Sequence, residues 1–161
     1  MAIIFPPIPY KSHFDTDASQ FRNDCGPACL AMILNTFDTD TTTNAVFRRS
    51  GAEAEDYVSV SQLMRAGESY GVPFWYFYGW NVKRLMQAVD EGQTIICLVH
   101  YGGWSEIDAG ISTQSSYTGL HFVVTVGYDG KNIYVNDPLW REPRRMEGFR
   151  KVWSYRNFNA A

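Results

Sequence analysis

Apolar residues run nearly all round one short stretch of the chain, GPACLAMILNTF, where Ala28, Leu30, Ala31, Met32, Ile33, Leu34 and Phe37 leave almost no polar face. Such a pattern predicts a helix in the interior. Pro27 fits its first turn, where a missing N–H costs nothing. Two further helices are predicted. One is capped by Ser59 or Ser61 and runs to about Tyr70, stopped by Gly71 and Pro73; the other is VKRLMQAVDEG, capped by Asn81 and ended near Gly92. Between them PFWYFY reads as a strand. The first twenty residues read as an extended arm, because Pro6, Pro7 and Pro9 exclude helix.

Beyond these helices the pattern changes to β. TIICLVHY is a buried-strand candidate, and HFVVTVGY followed by NIYVND predicts a hairpin around Asp129-Gly130. Helices first and an antiparallel sheet afterwards is the order of an α+β domain. YGGWSEIDAGISTQSSYTGL separates the first two of these strands, and connections of that length in compact domains are often lids or binding loops. With no repeat, low-complexity tract or linker, residues 1–161 read as one domain.

Composition narrows the function classes. A net charge of −3 and no basic stripe argue against nucleic acid as partner. The C-terminal concentration of Arg141, Arg144, Arg145, Arg150 and Lys151 is diluted by Glu142 and Glu147 and reads as solvated surface. No stretch approaches the ~18 apolar residues of a membrane span. MAIIFPPIPYKSHFD lacks the basic start of a signal peptide. A full-length chain would therefore be cytoplasmic, and a chain trimmed of a leader would be secreted. Three cysteines, with no Cys-x-x-Cys, and three scattered histidines favour neither a disulfide framework nor a metal site. No cofactor is expected.

The chemistry gathers around Cys25. It lies just ahead of the buried helix, between Asp24 and Gly26, where free N–H groups and the helix dipole favour the nucleophilic thiolate. A small buried cysteine at a helix start is the alternative. Gly26 removes bulk where a substrate carbonyl must approach. A thiolate works best beside an imidazole, and His13, His100 and His121 all have a claim. His121 gains from Asp137, because the hairpin returns that carboxylate towards it. This pairing demands a register. A two-residue Asp129-Gly130 loop would oppose Asp137 to Phe122, on the wrong face. An odd-length loop such as Asp129-Gly130-Lys131, or a bulge, would oppose it to Val123, on the face of His121. Gln20, five residues before Cys25, could join the Cys25 N–H in binding an oxyanion, or be an ordinary polar residue of the arm.

Taken together, QFRNDCGPACLAMI, LHFVVTVGYDG and IYVNDP resemble the C39-like peptidases, a branch of the papain-like cysteine proteases. The resemblance implies a papain-like fold, with an N-terminal helical subdomain, led by the nucleophile's helix, packed on a C-terminal antiparallel sheet. It implies Cys25 as nucleophile, His121 as base, Asp137 as the group orienting the base, and Gln20 at the oxyanion, with Cys29 and Cys97 inert. The implied function is a cysteine peptidase acting on a peptide or protein substrate through a thioester. Cleavage after a small residue such as Gly, with an apolar segment upstream, follows from the family's Gly-Gly sites and from Gly26. Trp104, in the long loop, is the candidate for the substrate cleft; core packing is the expected fate of most rings from Phe74 to Trp80. An acyltransferase or peptide cyclase would use the same residues, and a non-catalytic peptide-binding module would keep only the fold. The sequence leaves the oligomeric state open.

Overall fold

The computed structural model of the chain describes residues 3–4, 7–18, 23–101 and 119–160. Its elements run β1 (Ile3–Ile4), α1 (Cys25–Thr36), α2 (Thr43–Ser50), α3 (Val60–Ser69), α4 (Val82–Asp90), β2 (Ile95–His100), β3 (Leu120–Tyr128), β4 (Asn132–Asn136), a 3-10 turn (Arg145–Gly148), β5 (Lys151–Ser154) and α5 (Tyr155–Ala160). Every residue of α1 from Cys25 to Leu34 is buried, as its all-round apolar pattern requires. Ser59, rather than Ser61, caps α3. Its hydroxyl accepts from the Gln62 N–H while Gln62 reaches back to the Ser59 N–H at 2.8 Å, a reciprocal capping box. Asn81 caps α4 by accepting from the Arg84 N–H at 3.1 Å. α2 falls in a stretch where no helix is predicted, although its boundaries carry signals. Thr42 caps it, accepting from the Ala45 N–H at 3.0 Å, and Gly51 ends it in the left-handed conformation, φ 70°.

All strand pairs are antiparallel. β3 is the central strand: β4 and then β5 lie on one side of it, while β1 and β2 share its other side, β1 at Gly127–Tyr128 and β2 at Leu120–Thr125. Alternation along β3 divides the sheet into two faces. Phe122 and Val124, with Ile96 and Tyr134, face α1, α2 and α3. Val123, with Cys97, Val99, Ile133, Val135 and Trp153, faces α4 and α5. Helices therefore cover both faces, each over its own apolar cluster. α4 is the departure from the expected layering, since it crosses to the face opposite the other early helices.

That crossing explains why PFWYFY is not a strand. The segment passes from α3 on one face to α4 on the other, and no described strand pairs with it. Only Phe74 returns to the core, its ring lying where a side chain on Gly67 would be. Trp75, Tyr76, Phe77 and Tyr78 stand in solvent instead of packing in the core, with Tyr78 90% exposed. Phe77 stacks on Trp80 at 4.9 Å between ring centroids, and the Arg84 guanidinium covers Trp80 at 5.4 Å.

The proline-rich arm is extended, and it is fastened to the far end of the chain. The Tyr10 hydroxyl donates to the Asp137 carbonyl at 2.8 Å, and the Ser12 hydroxyl donates to the Trp140 carbonyl at 2.5 Å. The His13 N–H donates to the Pro138 carbonyl at 3.0 Å. Arg145 clasps both oxygens of Asp15 at 2.6 Å, a bidentate pair. The C-terminal basic residues are thus only partly free surface: Arg145 holds the arm, and Lys151 lies over the Trp140 ring at 4.0 Å.

The 3-10 turn completes the clasp, with the Gly148 carbonyl accepting from the Asp137 N–H at 2.9 Å. A Cβ on Gly148 would overlap both the Tyr10 hydroxyl and the Asp137 carbonyl. Gly148→Ala should lower stability by about 1–3 kcal/mol, the usual cost of overpacking, read as a lower urea midpoint. Gly130→Ala, with open space around its position, should shift that midpoint by less than about 0.5 kcal/mol. Equal effects would mean that the Gly148 contact is not a constraint.

Candidate active site

Three elements converge at one end of the sheet: the first turn of α1, the start of β3, and the turn that leaves β4. The first supplies Cys25, 8% exposed, with the adjoining Asp24 fully buried. The first bond of α1 runs from the Ala28 N–H to the Asp24 carbonyl at 2.8 Å. The N–H groups at this end precede the helical ladder and have no partner within it.

β3 supplies His121, and the β3–β4 register decides whether Asp137 can reach it. The turn closes with Asp129 and Asn132 facing each other around Gly130-Lys131, and the Asp129 N–H donates to the Asn132 carbonyl at 2.9 Å. Tyr128 then opposes Ile133 and Gly127 opposes Tyr134, but Thr125 opposes Val135. One residue, Val126, is bulged between them. Continued by one step beyond Val124–Asn136, the shifted register sets Asp137 against Val123, on the face of His121. The loop is even-length, and the bulge corrects the parity.

His121 Nε2 lies 2.7 Å from Asp137 Oδ1. With Nε2 turned to Asp137, Nδ1 is the ring nitrogen that remains, and Cys25 lies near enough to act on the charge of the imidazole. His121 and Asp137 are 1% and 0% exposed. Asp137 is held by more than His121. Its Oδ1 accepts from the Leu139 N–H at 3.0 Å, an Asx turn. Its Oδ2 accepts from Trp140 Nε1 at 3.0 Å and from the Tyr101 hydroxyl at 3.1 Å.

Burial opposes charge on both partners, and their proximity overrides it. Burial alone would lower the His121 pKa, but the Asp137 carboxylate, its hydrogen bond to the ring and the nearby Cys25 push it up to about 10. Burial raises Asp137, yet the His121 charge and the donors from His121, Leu139 and Trp140 hold it below the usual carboxylate range. Burial, reinforced by Asp137, drives Tyr101 far upward, so it remains a donor.

Other expected residues fall differently. The Cβ direction of Gly26 meets the Phe122 ring at 3.0 and 3.2 Å, so the bulk this glycine omits makes room for Phe122. His100 is exposed and opposes Leu120, whereas Val99 opposes His121, so the two histidines point to opposite faces. Cys29 is fully buried, with its thiol pushed well up by burial, and burial pushes Cys97 up to about 11. Gln20 and Trp104 lie outside the described residues. Among the described residues no group of three or more His, Cys, Asp or Glu could hold a metal ion, and no helix is long and apolar enough to cross a membrane.

Two neighbours of the site go beyond the sequence reading. Trp140 was detectable in the Asp-Pro turn signal of NDPLW, whereas Tyr101 depends on β2 ending beside His121. His13 also lies here, 3% exposed, with its ring centroid 6.4 Å from that of His121 and 4.1 Å from that of Phe14. Burial, then His121, pushes His13 down to about 3, so it is a neutral wall of the site.

The sequence matches the Peptidase_C39 like family over residues 5–161. Among solved structures, a Bacillus anthracis protein described as a C39-like peptidase is similar at a TM-score of 0.62 and 14% identity, covering 95% of this chain and 92% of that one. A double glycine motif protease from an AMS/PCAT transporter, in complex with the leader peptide, is similar at a TM-score of 0.45 and 19% identity, covering 92% and 87%. No curated protein matches. The fold is that of the C39-like, papain-like peptidases.

The charge pair sets a stability window. Folded His121 keeps its proton to about pH 10, whereas an unfolded imidazole releases it near 6.5. Its contribution is complete below about 6.5 and lost as pH rises through 10. Asp137 acts in the opposite sense: its contribution is present above 3.8 and lost as pH falls through its depressed folded value. The gap in Tm between wild type and His121→Gln should therefore narrow as pH is raised from 6.5 towards 10. A constant gap in thermal melts would mean that the buried imidazole carries no charge.

Proposed function

This chain belongs to the Peptidase_C39 like family of cysteine peptidases, and from that premise we propose that it hydrolyses a peptide or isopeptide bond through a thioester on Cys25. The observation that supports this reading is the buried pair in which His121 Nε2 lies 2.7 Å from Asp137 Oδ1, with Cys25, at the start of α1, near enough to act on the imidazole. Sulfur attacks the carbonyl carbon, forming the C–S bond and a tetrahedral oxyanion. The imidazolium then gives its proton to the departing amine as the C–N bond breaks. Water attacks the thioester with His121 taking its proton, and the acid product leaves with Cys25 restored. Asp137 keeps Nε2 protonated and the ring turned towards sulfur. The oxyanion falls to the Cys25 N–H, at the end of α1 where such groups have no helical partner, and to Gln20, a role drawn from the family's motif.

The substrate in this reading is an extended peptide with a small residue, Gly or Ala, before the scissile bond. Digestion of a diverse peptide pool, with the cut sites read by mass spectrometry, tests that preference. Enrichment of Arg, Lys or large aromatics before the cut would overturn it. Product mass in the presence of amines separates hydrolysis from acyl transfer.

Cys25→Ala should abolish turnover, and His121→Ala should match it. Asp137→Asn should retain more activity, because its amide oxygen can still accept the imidazole N–H. Gln20→Ala should lower kcat by about 10²–10³, the scale for one oxyanion donor. Turnover that survives Cys25→Ala and disappears in Cys29→Ala would move the nucleophile.

A further inference from the structure

Four successive rings between α3 and α4 face solvent. Trp75, Tyr76, Phe77 and Tyr78 are 74%, 56%, 55% and 90% exposed. A segment lying against the body would turn at least one of four neighbouring side chains inward, so this one stands clear of it. Its glycines agree: a Cβ on Gly71 or Gly79 would meet nothing within 4 Å. Both ends are nevertheless fastened. Val72 and Phe74 pack on the cluster around α1, and Val82 belongs to the cluster on the other sheet face. The result is a pinned, convex loop with an aromatic crest.

Single exposed rings are ordinary, whereas a contiguous exposed patch marks an interaction surface. Shape and chemistry select the partner. A docked peptide helix needs a groove, and a convex crest offers none. A layer of lipid headgroups accepts a crest. Trp75, Tyr76, Tyr78 and Trp80 each join an apolar ring to a polar handle, the combination that settles at membrane–water interfaces. Charge agrees. In a chain of net charge −3, the stretch between Glu68 and Asp90 carries no acid and two bases, Lys83 and Arg84. Both are exposed on the first turn of α4, and the Arg84 guanidinium lies over the Trp80 ring at 5.4 Å. Among the described residues neither base is in an ion pair. Asp90 sits at the opposite end of α4 and accepts from the Tyr128 hydroxyl at 2.6 Å.

We propose that residues 75–80 form a peripheral membrane anchor, seated in the headgroup layer of an anionic phospholipid bilayer. The rings enter to headgroup depth, and Lys83 and Arg84 meet the lipid phosphates. The anchor lies on the bilayer and does not span it. It uses none of the groups around Cys25, so it stands independently of the peptidase reading.

The test is co-flotation of the whole chain with vesicles of phosphatidylcholine alone, or of phosphatidylcholine mixed with phosphatidylglycerol. Wild type should float with the mixed vesicles, less with the neutral ones, and less as salt is raised. Joint Trp75→Ser and Tyr78→Ser substitution should lower partition onto mixed vesicles by about tenfold, the effect of withdrawing two partly buried rings. Lys83→Gln and Arg84→Gln should each lower it about fivefold there and leave neutral vesicles unaffected. All four side chains are exposed, so folding is preserved, and urea midpoints check this. Wild type that floats with neither vesicle overturns the anchor, as does flotation that survives loss of both rings. Equal partition onto both vesicle types overturns the role of the two bases. Self-association in sedimentation velocity that the ring variant abolishes, with no vesicle binding, overturns the anchor and gives the crest to a second copy.

Discussion

A carboxylate with no exposure to water is costly to keep charged, and the structure around Asp137 is arranged to do so. Asp137 is 0% exposed. An isolated charge at such a depth would neutralise by taking up a proton. Here His121, Tyr101, Trp140 and the Leu139 N–H all donate to it. These donors come from β3, the end of β2 and the turn after β4, so satisfying one carboxylate fixes three segments relative to one another. Losing any donor would leave the others supporting a less stable charge. The imidazole beside Cys25 thereby inherits a fixed orientation and a proton that it holds strongly.

The two apolar clusters make this convergence possible. α1 lies on one sheet face and brings Cys25 to the sheet's end, while α4 and α5 seal the other face beneath Val123, Val135 and Trp153. A sheet covered on one side only would leave the His121 face wet, and water would then compete for the hydrogen bonds around Asp137. The late element β5 reaches the site through Trp153, whose ring lies edge-on to that of Tyr101 at 6.4 Å between centroids, and α5 backs the same cluster.

Much of this could be read from the chain, because the relevant signals are local. The all-round apolar run of α1, the caps at Ser59 and Asn81, and the β-rich pair around Asp129 each need only neighbouring residues. The hairpin also reduced the His121–Asp137 pairing to a parity requirement, although the residue that meets it, Val126, carries no local mark of being bulged. What was illegible depends on distant partners. PFWYFY has the composition of a strand but passes between faces and pairs with no described strand. Tyr101 and His13 read as loop and arm until the fold brings them to the imidazole. Gly26 has its packing reason in Phe122, almost a hundred positions away in sequence.

The clasp between the arm and the last third of the chain bears on when the carboxylate can be buried during synthesis. Tyr10 and Ser12 hold the carbonyls of Asp137 and Trp140 across 127 and 128 positions, and Gly148 holds the Asp137 N–H from beyond. A nascent chain that has emerged only as far as Asp137 already contains Cys25, His121 and Asp137. It lacks Trp140, Arg145 and Gly148, so its carboxylate is neither dry nor fixed. Sites assembled from short-range contacts can switch on while the ribosome is still working. Here Asp137 gains its full set of partners only after translation has passed Gly148 and the first and last thirds of the chain have met.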